Sequence, residues 1–230
     1  MRINKFLALA TGLSRRAADA AIAAGEVRLN GQPVPLGATV SAADQVSYAG
    51  KLLDVAAVLG SDTTTIILNK PAGYVVSRNG QGSPTIYDLL PPKYHQLKPA
   101  GRLDKDSSGL LLLTNNGQLA QELTHPSKHK LKIYEVTLGQ PLQPLHHQMI
   151  SDHGVQLADG LSRLQLERLR DDSTAWRVIM HEGRNRQIRR TFAALGYTVT
   201  KLHRTHFGPY ALDGLASADY ASIRPDQYER

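Results

Sequence analysis

Gly101-Arg102-Leu103-Asp104-Lys105-Asp106-Ser107-Ser108-Gly109 runs directly into Leu110-Leu111-Leu112-Leu113 and Thr114, and this stretch decides the fold. The leucine run is short and unbroken, the pattern of a central, buried strand. Asp104 stands at the lip of that strand, one residue after Leu103 and two after Arg102. A carboxylate in such a place is costly to desolvate unless a cation accompanies it, so the chain should supply one from elsewhere.

The richest source of cations is Glu182-Gly183-Arg184-Asn185-Arg186-Gln187-Ile188-Arg189-Arg190-Thr191-Phe192, with four arginines between Arg184 and Arg190. Read as a helix over 185–195 ended by Gly196, it gathers Ile188, Thr191, Phe192 and Leu195 on one face. Arg186 and Arg190 fall on the opposite side, toward solvent or a phosphate. Arg189 falls at the edge of the apolar stripe, where a planar, permanently charged fork can reach a half-buried carboxylate. The wheel therefore selects Arg189 as the better partner for Asp104; the alternative is a surface arginine and a turn aspartate.

Around these two segments the chain alternates short strands with a few helices. Strand patterns occupy 64–68, 74–77, 110–113, 132–138, 176–180 and 197–204, and 118–123 reads as a short helix. Along 132–138, Tyr134, Val136 and Leu138 share one face. The sum is an α+β domain on a mixed, largely antiparallel sheet.

Residues 1–53 read as a smaller module. Ile3, Phe6, Leu7 and Ala10 recur at helical spacing, and Ser14 caps a second helix, 15–24, that closes at Gly25. Asn30-Gly31 between Val27-Arg28-Leu29 and Gln32-Pro33-Val34 is a two-residue hairpin signal, and 45–48 reads as a further strand. Residues 54–63, small and without period, read as a linker to a second domain over 64–230. The order helix, helix, hairpin, strand resembles the S-four-like RNA-binding module. That resemblance implies that Lys5, Arg15, Arg16 and Arg28 face structured RNA.

Bulk properties agree. The net charge of +7 favours a polyanionic partner, nucleic acid before membrane. Residues 1–53 hold six Lys and Arg against three acids and residues 63–230 hold 21 against 15, so both pieces suit one long polyanion. Cysteine is absent, which excludes disulfides and thiolate metal sites. No apolar run approaches the roughly 20 residues that span a bilayer, and the N-terminus lacks the apolar core of a signal peptide, so a cytoplasmic protein is expected.

In order along the chain, Lys70-Pro71-Ala72-Gly73-Tyr74, the Gly101 to Thr114 segment, Lys132-Ile133-Tyr134 and Gly183 to Arg190 resemble bacterial RNA pseudouridine synthases. The likeness is to the RsuA/RluB-type branch, which carries an S-four-like domain ahead of its catalytic domain, and it spans Met1 to about Gly214. It implies isomerisation of uridine to pseudouridine in ribosomal RNA, large-subunit RNA before small. It implies Asp104 as the catalytic aspartate, Tyr134 as the tyrosine that packs on the target base, and Arg189 as the cation paired with the aspartate. By the same resemblance Leu202 lines the base pocket, and Arg102 contacts the backbone near the extruded nucleotide. Arg184, Arg186 and Arg190 are further expected RNA contacts. Ser107 stands where the family often has threonine and keeps the hydroxyl.

Those residue types suit the reaction. An N-glycosidic bond breaks and the base rejoins through carbon, so no redox partner or group donor, and hence no cofactor, is implied. A nearby arginine keeps a partly buried aspartate ionised, and a tyrosine offers both an apolar ring and a phenolic oxygen. The base must be flipped out of RNA structure, which calls for cations on the distorted backbone. The implied partner is ribosomal RNA, free or within a ribosome assembly intermediate, with the protein a monomer and no membrane involved.

Other readings are weaker. His203 and His206, or His146 and His147, lack the neighbouring acids of a metal shell, so no metal is expected. Lys70 lacks the glycine-rich run and Lys-Ser/Thr pair of a phosphate loop. Asp104 and Asp106 as a paired-carboxylate hydrolase sit too close to Lys105 and Arg102, which suit RNA instead. The alternative from another class is a non-catalytic RNA-binding assembly factor that retains the synthase fold.

Overall fold

The computed structural model describes residues 1–60 and 62–223, so 224–230 of the expected second domain lie outside the described residues. The chain forms two compact units, 1–63 and 64–230.

The first unit contains α1 (Ile3–Thr11), α2 (Arg15–Ala23), β1 (Val27–Leu29), β2 (Gln32–Pro33), β3 (Val46–Tyr48), β4 (Lys51–Leu53) and α3 (Val55–Leu59). Its sheet runs β2-β1-β3-β4. Ile3, Phe6 and Leu7 from α1 meet Ala18, Ala21 and Ile22 from α2 over Val27 and Val46. Ser14 accepts from the Ala17 amide at 3.1 Å, as its capping position requires. Asn30 and Gly31 both take positive φ, +52° and +80°, the backbone a two-residue hairpin needs. The expected linker is corrected: Asp54 caps α3, and Val55 is buried in this unit's core with Val58 and Leu59 against it. Val55, Val58 and Leu59 form the packed face of this short helix while Ala56 and Ala57 stay exposed, a pattern too brief to separate from a spacer by composition.

The second unit contains β5 (Thr65–Lys70), β6 (Lys98–Ala100), β7 (Ser108–Thr114), α4 (Gly117–Thr124), β8 (Lys132–Leu138) and α5 (Pro144–Gln148). It continues with β9 (Val155–Leu157), β10 (Gly160–Ser162), β11 (Gln165–Arg168) and β12 (Ala175–Met180). The last elements are α6 (Gln187–Ala193), β13 (Val199–Phe207), β14 (Tyr210–Ala211) and β15 (Tyr220–Ile223). The main sheet runs β11-β12-β8-β13-β7-β5-β15. Its pairs are antiparallel except β7 with β13, so the α+β class with a mixed, largely antiparallel sheet holds.

The leucine run explains itself in β7. Leu111 and Leu113 face the larger core with Ile66 and Leu68, while Leu110 and Leu112 face a second core with Ile67, Leu123 and Phe207. All four are fully buried, so neither face could be polar. Truncating any one of them to alanine should cost about 2–5 kcal/mol. Ile188 and Phe192 of α6 cover the larger core, as the wheel requires, and α4 covers the other with Leu123, Leu119 and Ala120.

Two sequence expectations differ locally. Residues 74–77 make no strand; only Val75 forms a bridge, to Thr85, because this segment is tied to the loops beside it. The helix expected from Asn185 begins at Gln187, since Arg186 takes a left-handed conformation at φ +46°.

Candidate active site

Asp104 lies on the loop that enters β7, and the backbone of that loop is held from beneath. Lys70, at the end of β5, is fully buried and donates from Nζ to the carbonyls of Pro71 (3.0 Å), Asp104 (3.1 Å) and Ser107 (2.7 Å). The Gly73 amide donates to the Lys105 carbonyl at 2.7 Å, and Arg189 Nη2 donates to the Asp106 carbonyl at 2.9 Å. All four carbonyls from Asp104 to Ser107 are therefore occupied by donors from the body of the unit, and the loop has little freedom. Burial lowers the Lys70 ammonium from its ordinary 10.5 to about 8, against the pull of Asp104 and Asp106.

The carboxylate of Asp104 stays 35% exposed, with Arg186 Nη1 at 3.5 Å from its Oδ2. Asp106, two residues on, takes both forks of Arg186, Nη1 to Oδ1 at 3.0 Å and Nη2 to Oδ2 at 2.9 Å. That fork holds the Asp106 carboxyl below the usual carboxylate range, and Arg189 lowers it further.

The expected Arg189–Asp104 pair is therefore corrected. Arg189 is 13% exposed, its Nε stands 3.3 Å from Asp106 Oδ2, and its Nη1 donates to the Val199 carbonyl at 2.8 Å. It joins the Asp106 end of the loop to the start of β13. The cation beside Asp104 is Arg186, because its left-handed backbone lifts it out of the helix and off the wheel that placed it on the far side.

Tyr134 and Leu202 do come together. Tyr134 is opposite Arg204 across β8 and β13, and Arg204 is opposite Gly109 across β13 and β7. Tyr134 thus stands two strands, about 10 Å, from the start of the leucine run. Leu202 is opposite Val136, and Tyr134, Leu202, Leu103 and Ile188 belong to one cluster. An apolar wall with a phenol in it accordingly lies on the α6 side of the sheet.

The expected RNA contacts divide into two groups. Arg102 and Arg16 are exposed and make no side-chain bond among the described residues, and Lys5 likewise makes none. Among the described residues the Arg15 side chain donates to Asn4 and the Arg28 side chain to the Gly31 carbonyl. Arg184, Arg186 and Arg190, by contrast, are already paired. Arg190 places two nitrogens on Asp159 at 2.9 and 2.7 Å, and Arg184 reaches the carboxylate and carbonyl of Asp159 and the carbonyls of Gly160 and Leu161. Arg184 and Arg190 clamp the β9–β10 turn and Arg186 clamps Asp106.

Sequence reasoning quoted Lys70 but gave it no role, although a lysine closing an apolar strand before a proline was the available signal. It weighed Asp106 only as half of a carboxylate pair, not as the partner of Arg186, because that pairing depends on the unusual backbone of Arg186.

Residues 64–194 match the family model described as RNA pseudouridylate synthase. The chain belongs to that family. Residues 1–46 match the S4 domain, so the synthase unit follows an RNA-binding module of known type. The chain is 37% identical to ribosomal large subunit pseudouridine synthase B of Xylella fastidiosa over 92% of its own length and 46% of the relative. It therefore spans about half the length of that relative. It is 36% identical to ribosomal small subunit pseudouridine synthase A of Pasteurella multocida, covering 99% of the chain and 97% of the relative. The large-subunit synthase B of Bacillus subtilis is 33% identical, at 100% and 94% coverage. A crystal structure of a pseudouridylate synthase superposes with a TM-score of 0.69 at 33% identity, covering 100% of this chain and 98% of that one. Synthases named for either ribosomal subunit thus resemble this chain.

Proposed function

We propose that the chain isomerises uridine to pseudouridine in ribosomal RNA. The observation that carries the reading is the Asp104 loop. Its backbone carbonyls are all occupied from within, while its one reactive carboxylate is left partly exposed with a guanidinium beside it. A group fixed in this way is preorganised for chemistry rather than for packing.

In the reaction the N1–C1′ bond of uridine breaks, the base turns, C5 joins C1′, C5 gives up its proton and N1 takes one up. The product is an isomer, so the step consumes no donor and no electrons. Asp104 acts as the carboxylate that assists departure of the base, by attack on the ribose or by proton removal. Arg186 stands beside it as the counter-charge. Tyr134 and Leu202 wall the extruded base, and the Tyr134 phenol is the acceptor we assign for the C5 proton. Arg102 and the cations Lys5, Arg15, Arg16 and Arg28 hold the backbone from which the base is drawn.

Large-subunit RNA is the substrate we favour, on the likeness of the run Arg184–Arg190 to large-subunit members. The test is pseudouridine mapping by carbodiimide adduct and primer extension on deproteinised ribosomal RNAs, with wild-type protein and Asp104→Asn. One new stop in large-subunit RNA, absent with the variant, is the expected result. A stop only in small-subunit RNA overturns the substrate, and a stop retained by Asp104→Asn overturns the role of Asp104. Retained RNA binding with no stop, in free RNA and in assembly intermediates, would make the protein a binding factor.

A further inference from the structure

Asp106 is exposed, and the carbonyls of its loop are held independently of its carboxylate. Yet it gathers more of the arginine segment than any other acid in this loop. Both terminal nitrogens of Arg186 donate to it at 3.0 and 2.9 Å, and Arg189 Nε stands at 3.3 Å. The same Arg186 Nη1 that donates to Asp106 lies 3.5 Å from Asp104 Oδ2. Charge-assisted hydrogen bonds between such groups close to about 2.7–2.9 Å. Asp104 thus receives the charge of Arg186 without its hydrogen bonds, and keeps its lone pairs for a substrate.

We infer that Asp106 is a positioning residue for the reaction proposed above: it holds the Arg186 fork off Asp104, so that the carboxylate keeps a guanidinium beside it but stays unbonded. Without Asp106 the nearest carboxylate for the fork is Asp104 itself. A bidentate pair would then cover both oxygens of Asp104 and block its approach to ribose or base. The inference rests on the synthase reading, since it concerns how Asp104 is kept reactive.

The test compares wild-type protein with Asp106→Asn, Asp106→Glu, Arg186→Gln and the double variant Asp106→Asn/Arg186→Gln, in single-turnover and steady-state modification of ribosomal RNA. Asp106→Asn should lower kcat about 100-fold with KM within about twofold, since binding energy is kept and the reactive group is covered. Removing Arg186 as well should recover part of the lost rate, and Asp106→Glu should recover part of it by restoring an acceptor for the fork. Thermal melts identify any variant that is unfolded; the conservative glutamate keeps the question open to decision in that case. A double variant slower than either single one, or no recovery of rate with Asp106→Glu, overturns the inference in favour of a structural role. An active wild-type protein with an unaffected Asp106→Asn variant removes the inference alone. A wild-type protein that modifies no ribosomal RNA removes the synthase reading, and the inference with it.

Discussion

Lys70 Nζ donates to the Ser107 carbonyl at 2.7 Å and so joins the end of β5 to the loop that carries Asp104. The two residues are 37 positions apart, and the lysine has no exposed surface. An ammonium offers three donors, and the three carbonyls of Pro71, Asp104 and Ser107 take them. The loop is therefore shaped by a buried charge that makes no contact with solvent.

Replacing that charge has a pH signature. Lys70 titrates near 8 in the folded chain and near 10.5 when free. Between these values the unfolded chain holds a proton that the folded one has released, so stability rises with pH across the window. The rise totals about 3 kcal/mol for a shift of this size. Lys70→Met leaves three carbonyls without their donor, at about 1–3 kcal/mol each, and does not titrate. The variant should be less stable than wild type at pH 7, with the gap widening by up to about 3 kcal/mol between pH 8 and 10.5. Urea unfolding followed by Trp176, the single tryptophan and a member of the second unit, measures this directly. A gap that narrows or stays flat with pH would contradict it.

Gly109 is paired with Arg204 where β7 and β13 leave no room for a side chain. A Cβ there would stand 2.2 Å from the Arg204 carbonyl oxygen and 2.5 Å from its nitrogen, both backbone atoms, and φ is +109°. Neither strand can yield without breaking the one parallel pair that joins β5 and β7 to β13 and β8. Gly109→Ala should cost about 4 kcal/mol or more, or leave the second unit insoluble. Gly214→Ala is the control. It also has positive φ, +82°, but meets open space, and should cost only the about 1–2 kcal/mol of the left-handed conformation. Equal melting temperatures for the two variants would show that the close approach is tolerated.

The fold was legible where one physical demand dominates a segment. Four successive leucines can only be a strand with both faces covered, and Ile188, Thr191 and Phe192 can only share the buried face of a helix. Tyr134, Val136 and Leu138 alternate as a half-buried strand must. The ion pairs were not legible to the same degree. A helical wheel assumes helical backbone, and Arg186 departs from it at the residue that decides which arginine meets Asp104. Asp159 lies far from the arginines in sequence and reaches Arg184 and Arg190 only because the β9–β10 hairpin folds back onto them. The linker failed for another reason: alanine and valine serve a short packed helix as well as a spacer.

The division among the basic residues predicts which of them RNA will register. Each phosphate contact that releases a counterion contributes about 0.7–0.9 to the slope of log affinity against log salt. Arg15 and Arg16 are exposed at the first turn of α2, with no acidic partner among the described residues. Arg15→Ala and Arg16→Ala should each reduce the slope by about that amount. Arg190 is neutralised at 2.7 Å by Asp159 before any RNA arrives. Arg190→Ala should leave the slope within about 0.3 of wild type and instead lower the melting temperature of the second unit, because the β9–β10 turn loses a bidentate clamp. Filter binding across a salt series, with melts of the same preparations, measures both quantities. A full loss of slope with Arg190→Ala would mean that RNA phosphates displace Asp159, and that the arginine clamp opens when the substrate binds.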